Sequence, residues 1–124
     1  MNNNIRVDLS PDKGRGLFTN RQFKSSELID VTYTWLLTPE DIELYDKTSI
    51  SGHWFDHPKQ NGYGLVPLGT AALVNHSKQP NAELIWIETV CGYVGMLFAL
   101  YNIAKDSEIL IDYGIDIEYN ISVV

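Results

Sequence analysis

Gly14-Arg15-Gly16 places two glycines one residue apart, just after a short alternation of apolar and polar residues. Glycine permits positive φ and lets a ligand come close to backbone N–H groups. The run lacks the full G-x-G-x-x-G and no helix pattern follows it, which argues against a dinucleotide-binding fold. A plain hairpin turn is the competing reading. His53 and His57 stand four apart with Asp56 beside them. Two imidazoles at that spacing can share a metal on a helix. Gly52 and Pro58 interrupt any helix here, and no metal is expected. Cys91 adjoins Gly92 with no partner thiol, and reads as a packing residue more readily than as a nucleophile. Asn75-His76-Ser77 follows apolar Ala71-Ala72-Leu73-Val74. Polar groups entering a core need partners, so Asn75 and His76 must bond to backbone or to a ligand. Tyr113 ends the run Ile111-Asp112-Tyr113-Gly114. It is either a strand-end aromatic or a hydroxyl serving a reacting centre by hydrogen bonding or proton transfer.

The elements that must position these residues are mostly strands. Ile5, Val7 and Leu9 alternate with polar residues, as on a half-buried strand. Residues 28–37 carry Ile29, Val31, Tyr33, Trp35 and Leu37 at period two, a clear strand signal. Thr38-Pro39-Glu40-Asp41 starts a short helix, with Thr38 as cap, Pro39 in the first turn and Asp41 completing a capping box. Ile42 and Tyr45 give that helix its inward face. Residues 48–64 are irregular, broken by Gly52, Pro58, Gly62 and Gly64, while Trp54, Phe55 and Tyr63 require cover. A short helix or coil at 69–74 leads into Asn75. Residues 84–90 and 93–100 form a hairpin across Cys91-Gly92, and 109–113 form a last short strand.

The chain has 124 residues, 44% of them hydrophobic, which suits one folded domain. Nine basic against 16 acidic residues give a net charge of −7. That disfavours nonspecific nucleic-acid binding, which needs a basic face, and docking on anionic membranes. It favours encounter with basic partners. A single cysteine excludes an intramolecular disulfide. No signal-peptide pattern opens the sequence and no apolar run reaches the length of a membrane span. An intracellular location is expected, with nucleus, cytoplasm and host cell left open.

Taken in order, the motifs sharpen the reading. Gly14-Arg15-Gly16-Leu17-Phe18 is followed by Asn75-His76-Ser77 with Pro80-Asn81, then Phe98-Ala99 with Asn102-Ile103. Glu108 comes next, and Asp112-Tyr113-Gly114 closes the series. From about residue 5 to 114 the chain resembles the SET-domain protein lysine methyltransferases, in the minimal single-domain form of some viral and microbial members. The resemblance implies a mainly β fold of small curved sheets with a C-terminal pseudoknot. It implies one domain over residues 1–124 with a variable insert at about 38–64. It also implies S-adenosylmethionine as cofactor. Gly14, Arg15 and Gly16 would line it with backbone groups. Asn75 and His76 would hold its amino and adenine ends, and Tyr119 would stack on the adenine. Tyr113 would be the catalytic residue beside the transferred methyl. The substrate would be a lysine in a basic, histone-like protein or peptide. Such transfer needs alignment and a deprotonated amine rather than an enzyme nucleophile, and desolvation in an aromatic channel favours the neutral amine. The alternative is a catalytically weak or inactive SET-like module that binds a basic peptide or protein.

Some positions depart from the family pattern. Asp106-Ser107-Glu108 replaces a Gly-Glu-Glu run. Leu84 and Ile111 are not aromatic where relatives carry channel aromatics, which leaves a wider channel or a tyrosine from elsewhere, such as Tyr33. The apolar tail residues Ile121, Val123 and Val124 call for cover. Pairing into a homodimer is one expectation and folding back on the same chain is the other.

Overall fold

The computed structural model describes residues 2–11 and 13–114. The longest strand signal gives the longest strand, β3 (Leu28–Leu37). It lies at the middle of a five-stranded sheet of order β4-β5-β3-β8-β7. Its partners are β4 (Phe55–Asp56), β5 (Gly64–Pro67), β7 (Ala82–Thr89) and β8 (Gly92–Ala99). The period-two reading of β3 has the right ends but not one inward face. The ladder to β8 slips between Leu28 and Asp30. A slip of one residue exchanges the two faces of a strand. Ile29 is therefore buried, whereas Val31, Tyr33 and Trp35 are exposed and Thr32 faces inward.

The predicted hairpin is present: β7 and β8 pair from Ala82↔Ala99 to Thr89↔Gly92. Val90 and Cys91 make its two-residue loop, and Gly92 takes φ +99°, a conformation that suits glycine at such a turn. Cys91 is exposed at the loop and does not pack, contrary to the sequence reading. Opposite Gly95 lies Trp86. A Cβ at position 95 would come within 2.9 Å of the indole, so glycine lets the ring lie across the neighbouring strand.

Helix α1 (Pro39–Tyr45) begins as expected. The Thr38 hydroxyl accepts from the Asp41 N–H, and the Asp41 carboxylate accepts from the Thr38 N–H. The irregular stretch after it is anchored by Asp46, whose carboxylate accepts from the Gly52 amide at 2.8 Å and the Trp54 indole at 3.1 Å. This places Trp54 and Phe55 in buried positions.

Two small sheets complete the fold. β1 (Ile5–Ser10) pairs antiparallel with β2 (Gly14–Thr19). Of the alternating residues in β1 only Ile5 is buried. Leu9 is 80% exposed, because the hairpin projects and reaches the core mainly through Leu17 and Thr19 of β2. A 3-10 turn (Thr70–Leu73) leads into β6 (Asn75–His76), which pairs parallel with β9 (Leu110–Ile111). The chain before β9 bonds to β2 as well. Thr19 N–H donates to Ser107 O at 2.9 Å and Ile109 N–H to Leu17 O at 2.8 Å. Residues 107–111 thus run between β2 and β6. Ile109 and Leu17 are both wholly buried at this junction. The result is a mainly β architecture of curved sheets. Among the described residues no helix is long and apolar enough to cross a membrane.

Candidate functional site

Parallel pairing of β6 with β9 brings Asn75 and His76 beside the segment that ends in Tyr113. The Tyr113 N–H donates to His76 Nδ1 at 2.9 Å, which makes the neutral imidazole the Nε2–H tautomer. The ring Nε2 is buried and has no partner among the described residues. The Tyr113 hydroxyl donates to the Val74 carbonyl at 2.5 Å. Its ring lies 4.9 Å from that of His76 and meets Phe55 edge-on at 5.9 Å. Trp86 packs against Phe55, with ring centroids 5.3 Å apart. Burial pushes the Tyr113 phenol up to about 12. A hydroxyl so buried, and already donating to a carbonyl, stays neutral and presents oxygen lone pairs.

The glycine motif reaches the same place from the other side. Asn75 Nδ2 donates to the Arg15 carbonyl and to Glu108 Oε2, both at 2.8 Å. Glu108 Oε1 accepts from the Ser10 hydroxyl at 2.9 Å. Lys13 Nζ donates to the His76 carbonyl at 3.0 Å. The two glycines act differently. Gly14 has φ +82° and open space where a side chain would be, as a turn glycine should. Gly16 is not left-handed. A Cβ there would sit 2.3 Å from Glu108 Oε2 and 2.9 Å from Asn75 Nδ2. Its small size makes room for the Glu108–Asn75 contact.

A cleft of about 170 Å³ opens where these groups meet, lined by Lys13, Arg15, His53, Asn75, Tyr113 and residues 72–74. His53, which the spacing of motifs sets apart from them, lines this cleft. A larger hollow of about 460 Å³, with Trp35, His57 and Tyr93 in its wall, touches none of the motif residues.

Tyr33 is 61% exposed and borders a different hollow with Asp30 and Leu68. Among the described residues the aromatic neighbours of Tyr113 are Phe55 and His76 instead. Leu84 and Ile111 pack in or against the core. Phe55, Ser10 and His53 are the residues that sequence reasoning missed here. The only signal for Phe55 was an aromatic in need of cover. Among the described residues no three His, Cys, Asp or Glu side chains stand together as a metal site. Tyr119 and the tail residues Ile121, Val123 and Val124 lie outside the described residues.

A cleft walled by a glycine hairpin, an Asn-His strand and a buried tyrosine, set at the junction of small curved sheets, defines a class that the comparisons name. The SET domain family model matches residues 14–114. The chain belongs to the SET-domain family. It is 37% identical over 76 residues to the histone-lysine N-methyltransferase ASHR1 of Arabidopsis thaliana. That match covers 60% of this chain and 15% of the length of that relative. The crystal structure of a Plasmodium falciparum protein, assigned as a candidate histone methyltransferase, superposes with a TM-score of 0.72 at 33% identity. It covers 90% of this chain and 98% of that one. A humanized mutant of the Chaetomium thermophilum Polycomb Repressive Complex 2 shares the fold, with a TM-score of 0.75 at 16% identity. There the match covers 89% of this chain and 15% of that chain.

Proposed function

We propose that this chain transfers a methyl group from S-adenosylmethionine to the side-chain amine of a lysine in a basic protein or peptide. The observation that carries the reading is the convergence of three distant motifs on one cleft: Arg15, Asn75 and Tyr113 share its wall. The donor set suits the cofactor. Lys13 and Arg15 offer cations to a carboxylate, and Asn75 offers an amide oxygen to an ammonium. When bound, S-adenosylmethionine supplies a methyl carbon carried on positively charged sulfur.

The residues of the chain then have separable tasks. Gly14 shapes the hairpin tip, and Gly16 allows β2 to close on Asn75 and Glu108. Asn75 and His76 hold the amino-acid and adenine ends, with Tyr119 assigned to the adenine by the family pattern. Tyr113 orients the incoming amine and the polarised methyl through its oxygen, since its proton is directed at Val74. It takes no part as a base, because burial raises its pKa. Phe55 backs the Tyr113 ring and helps keep water from it. The net charge of −7 favours approach of a basic substrate.

We also propose that the C-terminal segment forms the family pseudoknot. The run of residues 107–111 between β2 and β6 supports that threading. The insert at 38–64 supplies Phe55 to the core and His53 to the cleft, which supports reading the chain as one domain.

Two measurements test the function. Calorimetry with S-adenosylmethionine and S-adenosylhomocysteine should show one site per chain. Asn75→Ala should weaken binding about tenfold or more, the order of a lost hydrogen bond to a charged group. Cys91→Ser, in the exposed hairpin loop, should leave binding unchanged. Absence of heat and of any thermal shift at millimolar ligand overturns the cofactor reading. Mass spectrometry of a lysine-peptide library incubated with cofactor should then reveal a gain of methyl groups. Binding of a basic peptide without methyl transfer, retained in Tyr113→Phe, would identify a binding module instead.

A further inference from the structure

Glu108 belongs to none of the roles above, yet it joins three separate parts of the chain. It forms an isolated antiparallel bridge with Phe18 of β2, and its carboxylate ties Ser10 at the end of β1 to Asn75 on β6. The consequence for Asn75 is specific. An amide nitrogen has two hydrogens, and here one goes to the Arg15 carbonyl and the other to Glu108 Oε2. Both partners only accept, so the amide cannot be turned over without facing two acceptors with its oxygen. Asn75 Oδ1 therefore keeps one direction, and no donor among the described residues reaches it. Gly16 preserves this arrangement by leaving out the Cβ that would collide with Oε2.

We propose that Glu108 is a positioning residue for the amino-acid end of the cofactor. By occupying the nitrogen of Asn75 it commits that side chain to act as an acceptor, and so to receive an ammonium group in the cleft. This rests on the cofactor reading given above. Its signature is selective: loss of the Glu108 acceptor should weaken ligands that carry the amino-acid end and spare those that lack it.

The experiment measures binding of S-adenosylhomocysteine and of 5′-methylthioadenosine, which keeps the adenosine and the sulfur but has no amino acid. The proteins are wild type, Glu108→Leu and Glu108→Gln. Glu108→Leu should lose about tenfold or more in affinity for S-adenosylhomocysteine, as expected for a disturbed hydrogen bond to a charged group. It should bind 5′-methylthioadenosine as wild type does. Glu108→Gln should rescue, because its amide oxygen can face Asn75 while its nitrogen donates to the Ser10 hydroxyl. Equal weakening of both ligands, or of neither, overturns the proposal while the cofactor reading stands. If wild type binds neither ligand, both fall. Should Glu108→Leu not fold, Asn75→Asp carries the test. Alone it sets a carboxylate against Glu108 and should lose S-adenosylhomocysteine. Combined with Glu108→Gln, which supplies a donor to the new carboxylate, it should regain part of the affinity, the contact with the Arg15 carbonyl remaining unfavourable. A double variant no better than the single one overturns the proposal.

Discussion

The five-stranded sheet and the cleft around Tyr113 are held together by different means. In the sheet, β7 and β8 are joined by a two-residue loop, and their ladder runs unbroken over the full length of both strands. Apolar burial of Leu97, Ala99 and Ile29 secures one face. Around Tyr113 the ordered strands are two residues long, and polar ties between remote segments do the holding. Ser10 reaches Glu108, Asn75 reaches Arg15, and the Thr19 hydroxyl donates to Ala104 O at 2.8 Å. Asn81 replaces a strand partner, donating to Glu108 O and accepting from the Leu110 N–H. Burial is roughly proportional to area and tolerates adjustment. A polar tie depends on one atom in one direction, and a buried group left without its partner costs about 1–3 kcal/mol. The sheet should therefore yield gradually to substitution and the cleft abruptly.

The sharpest break in that contrast is expected at Tyr113. Tyr113→Phe removes one oxygen and leaves the ring against Phe55 and His76. Folding and affinity for S-adenosylhomocysteine should stay within a few-fold, while single-turnover transfer to a verified peptide falls at least ~100-fold, the scale of a lost positioning group or preorganised dipole. With its pKa pushed up to about 12, Tyr113 remains protonated from pH 6 to 10. The rise of the wild-type rate across that range then belongs to the substrate amine, whose free pKa is about 10.4. The residual rate of Tyr113→Phe should keep the same slope with pH. A flattened profile would show that Tyr113 itself titrates.

Two glycines set the regions side by side at the level of a single methyl. Gly16→Ala should lower unfolding stability by about 1–3 kcal/mol in urea titration. It should also weaken S-adenosylhomocysteine, because the methyl meets Glu108 and Asn75. Gly95→Ala meets the edge of Trp86 and the end of Leu84, which can shift. It should cost about 1 kcal/mol, near the low end of overpacking effects, with cofactor affinity unchanged. Should both variants lose stability alike and neither lose affinity, the contrast between the regions fails. The smallest effect is expected on the outer face of β3. Trp35 is 67% exposed, and Trp35→Ser should change stability by no more than about 0.5 kcal/mol.

Elements made of neighbouring residues were legible from the sequence. The capping box of α1 and the turn between β7 and β8 follow from local pattern, because their hydrogen bonds join residues close in the chain, and the ends of β3 follow from its run of alternating apolar residues, although its ladder partners lie far away in sequence. The inward face of β3 was not legible. A one-residue slip against β8 turned Val31, Tyr33 and Trp35 outward, and no periodicity in β3 itself encodes that slip. The order of motifs indicated Gly14, Arg15, Asn75, His76 and Tyr113. Arg15, Asn75 and Tyr113 line the cleft, His76 contacts Tyr113 without lining it, and Gly14 shapes the hairpin tip. Gly16 also leaves room for Glu108, a contact that the glycine motif by itself does not reveal. His53 looked remote and lines the cleft, since Asp46 folds the insert back through Gly52 and Trp54.

The sequence alone determined the family, the strand-rich architecture and the residue types from which the cleft is built. Those depend on local hydrogen bonding, apolar alternation and motifs of a few residues. Only the tertiary structure decided which atoms meet. The oxygen of Tyr113 is turned to Val74, the nitrogen of Asn75 to Glu108, and Phe55 rather than Tyr33 stands beside the tyrosine ring. Each of these pairs joins residues at least 33 positions apart, with the Phe55 and Tyr113 rings further apart still in the chain. The direction of a hydrogen bond between such segments is set by how the sheets close on one another, and no local pattern of residues carries that information.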